Sequence, residues 1–362
     1  MGSRMSRHKA WLALAAAGAL FMSGCGGESS AVDGDGSKDG DGSKVVALEK
    51  DKVTIILGTQ GAVQLAPEYI AAEKGFWKDE GLEVKVTETE SGATTAIAAV
   101  VSGSAFSACS GTASASAAIE EGAPIKMMTL ALVGSTSVWV ARSDFLKEKG
   151  YEETWPVEKK LAMFEKSTLG MFAPGDSTQL TAMFLLKHHG LSSDGVKFQA
   201  VRNAAGAIAG MKRGAIDGMS TPREIAAQME AQGGGVEIVD YATDVPFYGR
   251  YPGLTCSINA GSVKDAPETV KAFVRGLTKA TEFVKSHPDE TKQILLGLPG
   301  FTAESIDAAL PALQRARPDS PLFGPEHYAA FQEFQTAVGR AVTKSYEDAV
   351  ESGLVKTALG AG

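Results

Sequence analysis

The sequence predicts an α/β protein of two similar lobes, each built on a parallel-rich sheet, with a ligand cleft between them. Three observations lead there. From Val53 onward short apolar runs alternate with helical segments, the pattern of βαβ units rather than of hairpins or bundles. The same order of elements returns about 110 to 115 residues later, the mark of an internal repeat. At matching places in the two halves, strands run into loops rich in Ser, Thr and Gly, and ligands of such sheets lie outside the carboxyl ends of the strands.

The elements follow in order. Arg4, Arg7 and Lys9 precede an apolar stretch from Trp11 to Met22, too short to cross a bilayer about 30 Å thick, and Met22-Ser23-Gly24-Cys25 follows where it stops. Residues 1–24 therefore read as a signal peptide, and residues 25–50 as a flexible tether starting at Cys25, with Asp33-Gly34-Asp35-Gly36 and similar turns offering nothing to bury. Val53-Thr54-Ile55-Ile56-Leu57 is a strand, and Pro67 suits the first turn of a helix that ends at Gly75. Leu82-Glu83-Val84-Lys85-Val86-Thr87 alternates apolar and polar residues as a half-buried strand does. A helix from Ala93 to Ser102 stops at Gly103.

In the second half a strand, Leu169-Gly170-Met171-Phe172, leads through Pro174-Gly175-Asp176 into a helix from Ser177 to His189, then to a strand at Val196–Ala200. Ala207-Ile208-Ala209 through Gly214 echoes Ala96-Ile97-Ala98 through Gly103, and the loops that follow are Ser220-Thr221-Pro222-Arg223 and Cys109-Ser110-Gly111-Thr112. Ser137–Ala141 and Leu254–Ile258 bracket the second half and are candidates for the segments that cross between lobes. The expected boundaries are thus 51–141 with 256–362 for one lobe and 142–255 for the other. Beyond Ile258 four helices are expected, Ala266 to His287, Asp289 to Leu298, Ala303 to Arg315 and Pro325 to Glu351, packing back on the first lobe.

Composition narrows the function. Among 362 residues, 43 acidic and 35 basic side chains give a formal charge of -8, and removal of residues 1–24 takes three basic residues and leaves -11. No basic stripe is present for a phosphate backbone, so a nucleic-acid partner is not expected.

Ala66-Pro67-Glu68-Tyr69-Ile70-Ala71-Ala72-Glu73-Lys74-Gly75-Phe76-Trp77-Lys78-Asp79-Glu80-Gly81-Leu82-Glu83-Val84 resembles the opening signature of the ABC-importer solute-binding proteins for nitrate, taurine, alkanesulfonates or thiamine pyrimidine precursors. Pro174-Gly175-Asp176-Ser177-Thr178, Gly214-Ala215-Ile216-Asp217 and Ala266-Pro267-Glu268-Thr269-Val270-Lys271-Ala272-Phe273 resemble later pieces of the same family. The run ending in Cys25 resembles a bacterial lipobox. These resemblances imply a periplasmic-binding-protein-like fold of type II, a lipid on Cys25, an extracytoplasmic monomer anchored to the membrane, a small-molecule ligand and ABC permease partners. One departure stands out: Phe106 occupies the first-lobe place where relatives carry Asp.

Candidate ligand contacts are Thr59, Gln60, Ser91, Ser110, Gly111, Thr112, Asp176, Ser177, Thr178, Gln179 and Thr221, the hydroxyls, amides and helix-start N–H groups that recognise anions or polar rings. Each Ser or Thr would also cap its own helix. Trp139 would either stack on a ring or sit in the core. Arg223 would either fork onto a carboxylate or sulfonate, together with the N–H groups at Ser177 and Thr178, or pair with Glu224 or Glu230; Arg250 is a lesser candidate of the same kind. A neutral pyrimidine would instead be read by Gln60, Gln179 and Trp139.

Catalysis is not expected. His188 and His189 point about 100° apart on a helix, and no Cys-x-x-Cys or His-Glu-x-x-His spacing occurs, so neither metal nor other cofactor is called for. Cys109 and Cys256 are read as buried free thiols, with a disulfide the alternative in an exported chain. The function expected is capture of a small sulfonate- or carboxylate-type anion for an ABC importer; binding of a neutral thiamine precursor, or an enzyme or sensor on the same scaffold, is the alternative.

Overall fold

The computed structural model describes residues 47–361 apart from Thr59, Gln60, Glu90 and Ser91. The signal peptide, Cys25 and the tether to residue 46 lie outside the described residues, and so do three expected ligand contacts, Thr59, Gln60 and Ser91. The tether ends sooner than residue 50. Glu49 accepts hydrogen bonds from the backbone N–H groups of Glu268 (3.2 Å) and Thr269 (2.9 Å), where the helix Pro267–Ser286 begins. A helix start leaves N–H donors unpaired and favours negative charge, and here a residue distant in sequence provides both acceptor and charge.

Two five-stranded sheets organise the described residues. The strands are β1 (Lys52–Leu57), β2 (Glu83–Glu88), β3 (Ser107–Gly111), β4 (Ile125–Val133), β5 (Ser137–Ala141), β6 (Thr168–Met171), β7 (Lys197–Ala200), β8 (Gly218–Pro222), β9 (Val236–Asp240) and β10 (Pro252–Asn259). Their orders are β2-β1-β3-β10-β4 and β7-β6-β8-β5-β9. In each sheet three strands run parallel, the fourth is antiparallel, and the fifth pairs antiparallel with the fourth. The repeat read from the sequence is therefore a repeat of topology. It reaches single hydrogen bonds: Phe106 N–H to Thr54 O at 2.8 Å corresponds to Asp217 N–H to Thr168 O at 2.7 Å.

That pair also explains the departure at Phe106. Asp217 accepts from Thr168 N–H (3.0 Å) and pairs with Arg142 (3.1 Å), locking the start of β6 to the strand entry. Phe106 is buried and meets Phe273 edge-on at 6.0 Å. The first lobe thus uses an apolar contact with a C-terminal helix where the second uses a carboxylate.

The lobe boundaries need correction. β5 hydrogen-bonds β8 and β9, so 137–141 belongs to the second sheet, and all of β10, Pro252 to Asn259, belongs to the first. Hydrophobic runs alone could not decide this, because β5 and β10 are buried strands with the same composition as crossing segments. The chain crosses at 134–136 and again at 249–251, and the two crossings are joined by Gly134 N–H to Tyr251 O at 2.7 Å.

Helices Pro267–Ser286, Pro288–Leu296 and Ala303–Ala316 return to the first lobe as expected, where Phe273, Leu295 and Leu313 join Ile70 and Trp77 in one core. The last expected helix, to Glu351, stops at Ala337. Gly339 follows with φ +77°, a left-handed conformation that only glycine adopts at little cost, and the chain leaves the helix axis. This helix is shared. Ala330 and Phe334 pack into the second-lobe core, Tyr328 and Phe331 into the first.

Cys109 and Cys256 face each other in the β3–β10 register and form a disulfide, so they are not the free thiols expected by default. No described helix is long and apolar enough to cross a membrane.

Candidate functional site

A cavity of about 470 Å³ lies between the lobes. First-lobe walls come from Gln64, Gly111, Ser114 and Leu132, second-lobe walls from Gly175, Ser177, Leu180 and Thr181. Gly111 ends β3 and Gly175 follows β6, so the cavity sits at the carboxyl ends of corresponding parallel strands. Two helices, Thr112–Glu120 and Ser177–His188, start at its edge and turn their first turns toward it. Such ends carry unpaired N–H groups and about half a positive charge.

The crossings and the residues beside them contribute as well: Ser135, Thr136 and Ser137 at one, Tyr248, Tyr251 and Gly253 at the other. Phe334, Gln335 and Arg340 complete the lining from the shared helix and the turn after it. Among the described lining residues Arg340 is the one charged side chain, and no carboxylate is present. Burial raises the Tyr248 and Tyr251 phenols above their ordinary range, with the Arg340 charge opposing this at Tyr251, so both are neutral donors at neutral pH. The Tyr248 hydroxyl is buried without a partner. A second cavity, of about 540 Å³, shares Gly134 and Tyr248 with the first but is lined by Lys285, Arg315, Asp319 and Glu326 and takes nothing from the parallel strand ends.

Of the expected contacts, Gly111 and Ser177 line the cleft. Asp176, Thr178 and Gln179 are used by their own loop. Asp176 caps the helix by accepting from Gln179 N–H (3.1 Å) and the Thr178 hydroxyl (2.7 Å), and Gln179 accepts from Gly175 N–H (2.7 Å). Capping won because the loop turns these side chains back on the helix start. Ser110, Thr112 and Thr221 are buried, with hydroxyls that lack hydrogen-bond partners. Trp139 is fully buried on β5 and packs against Phe164 with ring centres 5.1 Å apart, so its ring is core.

Arg223 is the main correction. Its guanidinium meets Glu237 at 2.9 Å and Asp240 at 2.7 Å, both on β9, and it is absent from the cleft lining. Strand β9 runs beside β5 and carries these two carboxylates to the start of the Arg223 helix; of the two expected partners, Glu230 accepts instead from Glu237 N–H at 2.8 Å, and the Glu224 side chain lies outside the described ones. Arg250 pairs with Glu333 at 2.8 Å, while Tyr248 and Tyr251, on either side of it in the sequence, line the cavity.

Two sequence signals for the unforeseen residues existed. Gly134-Ser135-Thr136-Ser137 is a hydroxyl cluster at a crossing, and Gly339 marks a helix stop just before Arg340. Gln64, Thr181 and Gln335 carry no such mark, because their position depends on tertiary packing.

Comparison with known proteins agrees with this architecture. The bicarbonate transport ATP-binding protein CmpC of Synechocystis is 26% identical over 261 residues, 68% of this chain and 37% of that protein. This chain thus spans little more than a third of that relative. The periplasmic nitrate-binding protein NrtA of Synechocystis superposes with a TM-score of 0.61 at 16% identity, covering 87% of this chain and 90% of that one. The periplasmic aliphatic sulphonate binding protein SsuA of Escherichia coli gives 0.59 at 15% identity, covering 80% and 86%. Both likenesses are of fold, that of a periplasmic binding protein. A family model described as NMT1/THI5 like matches residues 62–291, well over half of the sequence. The chain belongs to the NMT1/THI5-like family.

Proposed function

We propose that this protein is the solute-binding component of an ABC importer, anchored outside the cytoplasm by a lipid on Cys25, and that it captures a small anion between its lobes for a permease. One observation carries the reading: the described walls of the inter-lobe cleft hold neutral donors, rings and one arginine, and no carboxylate. An anion entering such a site meets helix-start N–H groups and a cation, and loses no energy to like charge. A cation would have no counter-charge there. The names of the similar proteins, which include a nitrate-binding, a sulphonate-binding and a bicarbonate-transport protein, support the same reading.

The groups at hand recognise rather than react. Hydroxyls of Ser114, Ser135, Thr136 and Ser177 have no histidine or carboxylate beside them in the described lining to take a proton. A monomer suffices, since one chain supplies both walls.

The test is a thermal-shift screen of sulfonates, carboxylates, nitrate, bicarbonate and neutral pyrimidines, in which a ligand at ~100 times its Kd adds about 2.7 kcal/mol of stability. Stabilisation by anions, with the ligand recovered unchanged after long incubation, is expected. A neutral pyrimidine as the sole hit overturns the anion reading, and product formed over many turnovers overturns the receptor reading. Release of the full-length Cys25→Ser variant from membranes checks the anchor.

A further inference from the structure

The segment after the shared helix crosses from one lobe to the other. Lys187 of the second lobe donates to Ala337 O at 3.3 Å, where the segment begins. Arg340 then donates to Gly175 O at 3.0 Å, also in the second lobe. Three residues on, the N–H groups of Thr343 and Lys344 donate to Glu120 at 2.9 and 3.0 Å, at the end of the first-lobe helix Thr112–Glu120. Residues 338–344 are thus a strap across the cleft, with Arg340 at its middle and in the cavity lining.

Arg340 differs from the arginines around it. Arg142, Arg223 and Arg250 are each held by carboxylates within 3.1 Å. Among the described residues no carboxylate lies within ion-pair distance of Arg340, whose guanidinium donates to Gly175 O. A guanidinium has five N–H donors in a planar fork that matches the two oxygens of a carboxylate or sulfonate. The same lining holds apolar side chains: Tyr251 and Phe334, with ring centres 5.0 Å apart, and Leu132, Leu180 and Leu254. The volume of about 470 Å³ falls in the range of sites for organic molecules, about 300–1,000 Å³, and an oxyanion of three or four heavy atoms leaves the rings and leucines without contact.

We infer that Arg340 is the residue that grips the ligand's acid group, and that the ligand is an organic monoanion whose apolar body rests on Tyr251, Phe334 and the leucines, not an inorganic oxyanion. The inference rests on the receptor reading above. It assigns selectivity to a strap that lies outside residues 62–291, the part shared with the family. It also couples recognition to closure, because the residue that holds the acid group sits on the segment that spans both lobes.

The experiment is calorimetric titration of the purified chain with benzoate, p-toluenesulfonate, nitrate and bicarbonate, repeated on Arg340→Ala and Arg340→Lys. Arg340 is exposed, and circular-dichroism melts check that both variants fold. The expected result is binding of at least one aryl anion, with nitrate and bicarbonate at least 30-fold weaker. Arg340→Ala weakens the aryl anion 30-fold or more, and Arg340→Lys recovers part of it. Equal or tighter binding of nitrate or bicarbonate, binding by none of the four anions, or an Arg340→Ala affinity within threefold of wild type overturns the inference. In that last case anions still bind and the receptor reading stands; a chain that binds only neutral pyrimidines in the broader screen loses the anion reading too.

Discussion

Replacing Glu68 by glutamine should change how stability responds to pH, by an amount that burial sets. Glu68 lies in the first turn of helix Ala66–Glu73 with no exposed surface, and one of its carboxylate oxygens has no hydrogen-bond partner. Burial pushes its pKa from 4.5 up to about 7, against the pull of the buried Arg317 charge. Below pH 4.5 the folded and unfolded chains both carry the proton. Between pH 4.5 and 7 the unfolded chain has released it and the folded chain has not, so each pH unit of rise costs about 1.36 kcal/mol of stability. The contribution is fully present below the unfolded pKa and lost as pH passes the folded one, on the order of 3 kcal/mol in all. Arg317, lowered by burial to about 10, stays charged throughout this window. Glutamine keeps the shape and removes the titration. Urea unfolding at pH 5 should therefore find Glu68→Gln close to wild type, and at pH 8 more stable than wild type by roughly 2–3 kcal/mol. A variant equally or less stable than wild type at pH 8 would show that attraction to Arg317 outweighs burial, and the reasoning would fall.

Three further outcomes are expected. The Cys109–Cys256 disulfide closes a loop with a sequence separation of 147, and replacing both cysteines by serine should cost about 5 kcal/mol on loop-entropy arithmetic; a loss under 1 kcal/mol in guanidinium unfolding would count against it. Arg223→Ala should leave anion affinity within threefold, because Glu237 and Asp240 already hold the side chain, while lowering second-lobe stability by roughly 1–2 kcal/mol as two carboxylates lose their shared partner; a tenfold loss of affinity would return Arg223 to the site. A methyl group at Gly276 would meet Trp77 Cδ1 at 2.3 Å, where the indole is buried, stacked on Phe273 and bonded to Phe273 O. Gly276→Ala should then destabilise by about 1–3 kcal/mol with a change in tryptophan emission, and an unchanged melt would refute the packing argument.

Fold and site differed in how far they could be read from the sequence, for a physical reason. Strand and helix follow from local period, so β1, β2 and the helices ending near Gly103 and Gly214 fall within a residue or two of expectation. The repeat then fixed two lobes and the end of each sheet at which a ligand would sit. What period does not encode is the side of a loop to which a side chain turns. Asp176 and Thr178 sit at the right loop and spend themselves on the helix start, and Ser177 between them faces the cleft. Trp139 and Arg223 failed for another reason: β9 and the Phe164 loop cover them, and nothing near them in sequence announces either neighbour.

The exchanged strands give the cleft its mechanical character. Because β5 is paired in the second sheet and β10 in the first, the chain passes between lobes at two short segments, tied to each other by Gly134 N–H and Tyr251 O at 2.7 Å. Ser135, Thr136, Tyr248 and Tyr251, which lie on or beside those segments, also line the cavity. A ligand that touches them touches the pivot, so differences in its contacts with the pivot bias the lobes toward one arrangement. The strap adds a third connection, through Arg340 and Glu120. A molecule long enough to reach from the pivot tyrosines to Arg340 engages all three connections at once, and a small oxyanion engages one. Closure that depends on such reach would discriminate by size as well as charge, so the aryl anions and the Arg340 variants probe one and the same contact.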